Sequence, residues 1–428
     1  MLLRAYLAFA RVGLPLWRRA LAARVRRGKE DPARLPERLG TPSLARPDGP
    51  LLWFHALSVG ESLALVTLLR RLGAARPDAH FLLTTTTRAS VEALAKVGLP
   101  PRVLHQYLPV DAAGPVDRFL DHWRPDLVAF AELDLWPYML TRIARRGIPL
   151  VVVNGRVTDR SLGKWRRSGG AIRALLALPE RILSQDDLST ERFRALGAPA
   201  DRVETLGPLK GGADPLPDLP PARAEVEAWL GARPVWLAAP TDRREEAQLL
   251  AAHARARSDI ADLLMILAPR QPRLADETEA EARQRFAGIA RRSRAEVPAP
   301  DCAIYIADTI GEMGLWYRVA PVALIGHSMP VAPPLTGKNP FEALALDCLV
   351  LHGPDVANFR DIYAQLDAAG ATRQVEDADD LGRTLTALLA DPAARAAQTE
   401  AARQALRQAA LPLERTTGLL ARMLPGQS

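Results

Sequence analysis

Cysteine is nearly absent: the 428 residues hold two, Cys302 and Cys348. That excludes a disulfide scaffold and any Cys-rich zinc module, and it suits a reducing compartment. No run approaches the ~20 consecutive apolar residues needed to span a bilayer. The patterns G-x-G-x-x-G, G-x-x-x-x-G-K-[ST], H-E-x-x-H and C-x-x-C are all missing, which removes the usual dinucleotide, P-loop and zinc-enzyme signatures. Lysine is scarce, with five (Lys29, Lys96, Lys164, Lys210, Lys338) among 56 basic residues. What is present is an ordinary globular composition, 48% apolar and 25% charged with a mean hydropathy of −0.05. The length is enough for two or three domains with substantial cores.

Charge is placed unevenly. Residues 1–38 carry ten basic and three acidic side chains, so the net charge of +7 sits there and the rest of the chain balances. A nucleic-acid binder spreads its basic residues across a folded face, so no nucleic-acid partner is expected. Between residues 2 and 25 the arginines alternate with Leu2, Leu3, Tyr6, Leu7, Phe9, Val12, Leu14, Leu16, Trp17, Leu21 and Val25. Arg4, Arg11 and Arg18 are seven apart and stack on one side of a helix that Pro15 kinks. Arg4 and Arg11 also interrupt any secretory h-region. Two readings follow. One is an interfacial helix with apolar side chains in the acyl boundary and arginines at anionic headgroups. The other is a helix packed on its own domain with a solvated basic face.

Beyond the arm, apolar runs alternate with helical patterns. Strands are expected at 51–57, 81–86, 126–133, 149–154 and 181–185, and helices at 61–72, 88–96, 136–146 and 163–176. The stretch 214–221, DPLPDLPP, reads as a stiff linker. Strands resume at 235–240, 263–269, 303–308, 322–326 and 349–353. Runs this apolar belong to parallel sheets covered by helices on both faces. The expected organisation is an arm over 1–40, an α/β domain over 41–213, a linker over 214–221 and a second α/β domain over 222–428. The last helix is expected to pack back on the first domain, and the site to lie between the domains.

Four segments can carry chemistry. Ser58-Val59-Gly60-Glu61 joins a strand to a helix, so Glu61 is either a general base at the sheet edge or a carboxylate complementing the helix dipole. Glu132 and Asp134, one residue apart in Ala131–Pro137, are either a metal-holding pair or part of the start of a helix, with Asp134 or Leu135 near its cap. Lys210 is a glycine-flanked lysine at the domain junction, facing an anionic substrate or solvent. Lys338-Asn339-Pro340-Phe341-Glu342 opens a helix over 341–346 whose free N–H groups suit phosphate. Pro269-Arg270 and Gly311-Glu312-Met313 end two further strands, and three such loops at one edge make a nucleotide site. The histidines, including His55, His327 and His352, read as satisfied groups in the core or behind a site rather than as ligands, and both cysteines as buried apolar residues.

Together these segments resemble the lipid A Kdo transferases, which move 3-deoxy-D-manno-octulosonic acid (Kdo) from CMP-Kdo to a lipid A precursor. The matching pieces run in family order: RRGKEDPARLPERLG (26–40), HALSVGES (55–62), LLTTTT (82–87), YLPVD (107–111), AELDLWP (131–137), VVNGR (152–156), LGPLK (206–210), EE (245–246), APRQP (268–272), DTIGEMG (308–314), KNPFEA (338–343) and HGPDVANF (352–359). The resemblance implies a GT-B architecture, two Rossmann-like parallel-sheet domains facing across a cleft, the first for the acceptor and the second for the donor. It implies Glu61 as general base, with Glu132 and Lys210 supporting the transition state. CMP contacts fall to Pro269, Arg270, Gly311, Glu312, Met313, Asn339, Pro340, Phe341 and Glu342. It also implies no metal or other cofactor, CMP-Kdo and a lipid A precursor as partners, and a place on the cytoplasmic side of the inner membrane, held by the arm at an anionic surface.

The chain departs from the family pattern at Pro240, Asp242, Gln271, Lys338, Asp134 and Pro208. Those departures keep open a GT-B relative using another CMP- or nucleotide-diphosphate-activated sugar. A catalytically silent membrane-surface adaptor is the alternative from another class.

Overall fold

The computed structural model describes residues 2–132, 135–168, 170–209 and 215–426. The chain divides into two compact units: Met1–Gly211 with Ala410–Ser428, and Gly212–Ala409. Each is built on a seven-stranded sheet in which every paired strand is parallel.

The first sheet comprises β1 (Leu51–His55), β2 (His80–Thr85), β3 (Val103–Tyr107), β4 (Leu127–Ala131), β5 (Leu150–Gly155), β6 (Arg181–Ser184) and β7 (Val203–Thr205), in the order β3-β2-β1-β4-β5-β6-β7. β1, β4 and β5 are buried along their whole length, as helices on both faces require. The helix Val59–Ala75 covers one face with Leu65, Leu68, Leu69 and Leu72, the i, i+3, i+4, i+7 stripe of an amphipathic helix.

The second sheet comprises β8 (Val235–Thr241), β9 (Leu264–Pro269), β10 (Ile289–Arg291), β11 (Ile304–Ile306), β12 (Val322–Ile325), β13 (Leu349–His352) and β14 (Thr372–Gln374), in the order β10-β11-β9-β8-β12-β13-β14. The long helix Pro392–Met423 serves both cores: Ala402 lies in that of the second unit, and Leu413 and Leu420 in that of the first. Gly207, at φ 105°, must be glycine, because a Cβ there would sit 2.6 Å from Pro412 Cγ.

Three expectations need correction. The arm is two helices, α1 (Leu2–Val12) and α2 (Leu14–Arg26), broken at Gly13 with Pro15 in the first turn of α2. It is built into the first unit: Leu3, Tyr6, Leu7 and Ala10 join one core cluster and Leu21 another, and Tyr6 Oη donates to buried Asp111 at 2.9 Å. The single helix expected over 163–176 is two, Asp159–Arg166 and Gly170–Leu176. In the proline-rich stretch, Pro220 and Pro221 open the helix Pro220–Leu230, where a missing N–H costs nothing.

Candidate functional site

Ligands of open α/β sheets bind at the carboxyl ends of the strands, where the strand order reverses. In the first sheet that point is β1 beside β4, with His55 opposite Phe130. β1 feeds directly into Ser58 and Glu61, and β4 into Glu132. Ser58 caps the helix Val59–Ala75: its Oγ accepts from Glu61 N–H at 3.3 Å and donates to Glu61 Oε1 at 2.8 Å. Glu61 Oε2 accepts from Leu57 N–H at 2.8 Å. This resembles a capping box with the glutamate closing on the N–H of Leu57, and it gives the dipole-complementing reading of Glu61 its geometry. Each oxygen keeps a lone pair, so the group still has room for a proton.

Glu132 holds φ 56°, a left-handed conformation uncommon for a residue with a Cβ, and its N–H donates to Val153 O at 3.0 Å. Asp134 lies outside the described residues, as does Lys210. The residue before Lys210 is tightly placed: Leu209 N–H donates at 3.0 Å to Oδ1 of Asn154, itself at φ 53° at the end of β5. The cap of the next helix, Pro137–Arg145, is Trp136, without a side-chain cap bond. The carboxylate that serves its first turn is Asp111, accepting from Tyr138 N–H at 3.0 Å and Met139 N–H at 2.8 Å. Neither Asn154 nor Asp111 was singled out as a site-builder, although both stand in the motifs quoted above. Sequence shows that they are present but not which N–H they meet.

In the second sheet the order reverses between β8 and β12. β8 leads to Asp242 and Glu245, β12 to His327 and then Lys338. Buried Glu245 gathers these ends, accepting from Asp242 N–H at 2.8 Å, His327 N–H at 2.7 Å, and Ser328 and Met329 N–H at 3.2 Å each. Burial pushes its carboxyl up, and the four N–H groups oppose that. His327 is not the satisfied group expected: its φ is 58° and its buried Nε2 has no hydrogen-bond partner. Burial, then the nearby Lys338 ammonium, lowers it to about 4, against the pull of Asp242. Burial and the Arg270 guanidinium hold Lys338 below its usual value. Arg270, Lys338, His327, Arg244 and Asp242 therefore form one electrostatic cluster, with Arg244 Nε bonded to Asp242 at 2.7 Å.

The other residues of the second unit expected at the site sit at the same edge. Pro269 ends β9, and Arg270 N–H donates to Thr241 O at 3.0 Å. Gly311 takes φ 93° with open space around its Cα, and Met313 begins the helix Met313–Val319. Burial pushes the Glu312 carboxyl up, but Arg292, at 2.9 Å, outweighs it and holds the carboxyl low. The helix expected over 341–346 is a single turn, Phe341–Leu344; Pro340 at its cap lacks an N–H, and the Phe341 N–H is already taken by Asn339 Oδ1 at 3.2 Å. Glu342 is half-buried and its carboxyl pushed up by burial. His55 Nδ1 meets Thr84, His352 Nε2 meets Asp367 at 3.1 Å, and both cysteines are buried, as expected.

Residues 33–213 match the family described as 3-Deoxy-D-manno-octulosonic-acid transferase (kdotransferase). The chain is 34% identical over 406 residues to the 3-deoxy-D-manno-octulosonic acid transferase of Bordetella pertussis, covering 92% of this chain and 91% of that one. It is 33% identical over 396 residues to a probable mitochondrial 3-deoxy-D-manno-octulosonic acid transferase of Arabidopsis thaliana, covering 88% of this chain and 84% of the relative. Among solved structures, a glycosyltransferase from Rickettsia africae superposes with a TM-score of 0.52 over 88% of this chain and 99% of that one at 9% identity, a likeness of fold.

Proposed function

This chain belongs to the 3-deoxy-D-manno-octulosonic acid transferase family, and from that premise we propose that it transfers Kdo from CMP-Kdo to the disaccharide precursor of lipid A with inversion at the anomeric carbon. The observation that carries the reading is the placement of a carboxylate at the switch point of one sheet and a cluster of cations at that of the other. Glu61 takes the proton of the acceptor's primary hydroxyl on an oxygen whose other contacts, Ser58 Oγ and Leu57 N–H, fix its direction. The hydroxyl oxygen forms the new bond to the anomeric carbon as the bond to the phosphate oxygen breaks, and the electron pair leaves with CMP. Arg270 and Lys338 supply positive charge where that phosphate becomes more negative. Glu132 and Lys210 take the supporting roles that the resemblance implies, and the chemistry needs no metal.

The acceptor is a lipid, and the first helices support a membrane reading. No helix among the described residues is long and apolar enough to cross a bilayer. Yet Leu2, Phe9, Val12 and Leu16 are exposed, and Arg4, Arg11, Arg18 and Arg19 are exposed beside them. That pairing suits an interfacial contact on the cytoplasmic side of the inner membrane.

Pro240, Asp242 and Gln271 favour a second reading in which the donor sugar differs. Donor profiling separates the two: turnover with CMP-Kdo and none with UDP-sugars is the expected result, and preference for a UDP-sugar defeats the assignment of the donor.

A further inference from the structure

Beneath α2 lies a cavity of about 330 Å³, wholly within the first unit. Its apolar wall is made by Trp17, Leu21, Leu57, Val110 and Trp136. Two arginines, Arg24 and Arg38, stand in the same wall and share one carboxylate: Glu30 lies 2.6 Å from Arg24 Nε and 3.6 Å from Arg38 Nε. Arg38 is 7% exposed and its Nε makes no hydrogen bond. An apolar cavity beside two cations and one anion is complementary to an amphiphile with a negative head.

Its position says which amphiphile. Leu57 donates its N–H to Glu61, so the wall reaches the carboxylate-bearing loop after β1, and Trp136 is the cap of the helix that follows β4. Ala20, also in the wall, lies four residues after exposed Leu16 on the same face of α2, so the cavity adjoins the apolar surface of that helix. We propose that this cavity receives one fatty-acyl chain of the acceptor, holding the lipid so that its hydroxyl reaches Glu61. The inference rests on the transferase reading for the identity of the acceptor, and on the cavity alone for the acyl chain.

The test uses the full-length protein and Ala20→Phe, which narrows the cavity from an exposed helix position outside the reaction machinery. Dibromostearate, whose bromines quench tryptophan, is the direct probe, since Trp17 and Trp136 line the wall. Saturable quenching is expected in the wild type, with affinity weakened about tenfold in Ala20→Phe, the equivalent of some two methylenes kept out. KM for the acylated acceptor should rise by a similar factor, while KM for the deacylated disaccharide and affinity for CMP stay unchanged. Arg24→Gln, which removes one of the two cations, should weaken the probe too, and a melting temperature of Ala20→Phe equal to that of the wild type guards against a folding defect. Absence of saturable quenching, equal quenching in Ala20→Phe, or an equal loss on both acceptors overturns the proposal. Wild-type protein that transfers Kdo to neither acceptor refutes the transferase reading, and the quenching experiment still decides the cavity.

Discussion

At Glu61 the carboxylate that closes the first turn of a helix is also the group proposed as the base. The two roles separate on substitution. Gln keeps a carbonyl oxygen for one of the two cap bonds but cannot take a proton. Glu61→Gln should therefore lower turnover about 10²–10⁴-fold with CMP affinity intact and a small change in melting temperature; full activity in steady-state assays removes Glu61 as base. Lys338 is the converse case, a cation with Arg270 beside it and no carboxylate bonded to it in the described contacts. Removing its charge in Lys338→Met should weaken CMP-Kdo binding about tenfold to a hundredfold, the loss of one charge-assisted hydrogen bond. Calorimetry on CMP-Kdo reads this directly, and unchanged affinity shows that Lys338 faces away from the donor.

At the scale of elements, what the sequence disclosed follows from burial. The central strands were legible because β1, β4, β5, β8, β9 and β12 are apolar over all but their last residues. The four strands that went unread, β3, β7, β10 and β14, are the four outer edges of the two sheets. Edge strands are paired on one side only and tolerate polar side chains, so Val-Leu-His-Gln-Tyr, Val-Glu-Thr, Ile-Ala-Arg and Thr-Arg-Gln carry no apolar signal. The strand-end loops were legible as motifs, but Glu245 collecting four backbone N–H groups, or Asn154 holding Leu209, depends on contacts between distant segments. For α1 and α2, periodicity showed an amphipathic character but not which face was already taken. Leu3, Tyr6 and Leu7 pack inward, so the outward residues are the ones to change. Phe9→Ser, Val12→Ser and Leu16→Ser together should abolish sedimentation with anionic liposomes, at about 1 kcal/mol or more per side chain, without altering CMP affinity. Unchanged sedimentation leaves these residues as plain surface.

For the whole molecule, acid sensitivity follows from histidines buried in the neutral form. His253 accepts from Trp236 Nε1 at 3.1 Å and meets Ala303 O through Nε2 at 2.9 Å; burial lowers it to about 3. His105, half-buried and facing Arg34, is likewise lowered to about 3 by desolvation and that guanidinium. Each folded value lies below the ordinary 6.5, so the stability each contributes is complete above pH 6.5 and is lost as the pH falls toward 3, because the unfolded chain takes up the proton first. The raised carboxyls of Glu245 and Glu246 act in the opposite sense, so the measurement is a difference. The advantage of the wild type over His253→Gln in denaturant melts should shrink by up to about 1.4 kcal/mol per pH unit below 6.5. A constant difference would mean that His253 takes up its proton alike in the folded and the unfolded chain.

The proposed Kdo transfer is read directly in its products. Mass spectrometry of the products from CMP-Kdo and tetra-acylated lipid A precursor, with EDTA present throughout, addresses that in one step. The predicted result is CMP release matched by acceptor carrying added Kdo, undiminished by the chelator. No mass gain on the lipid, or a gain that disappears with EDTA, would contradict it.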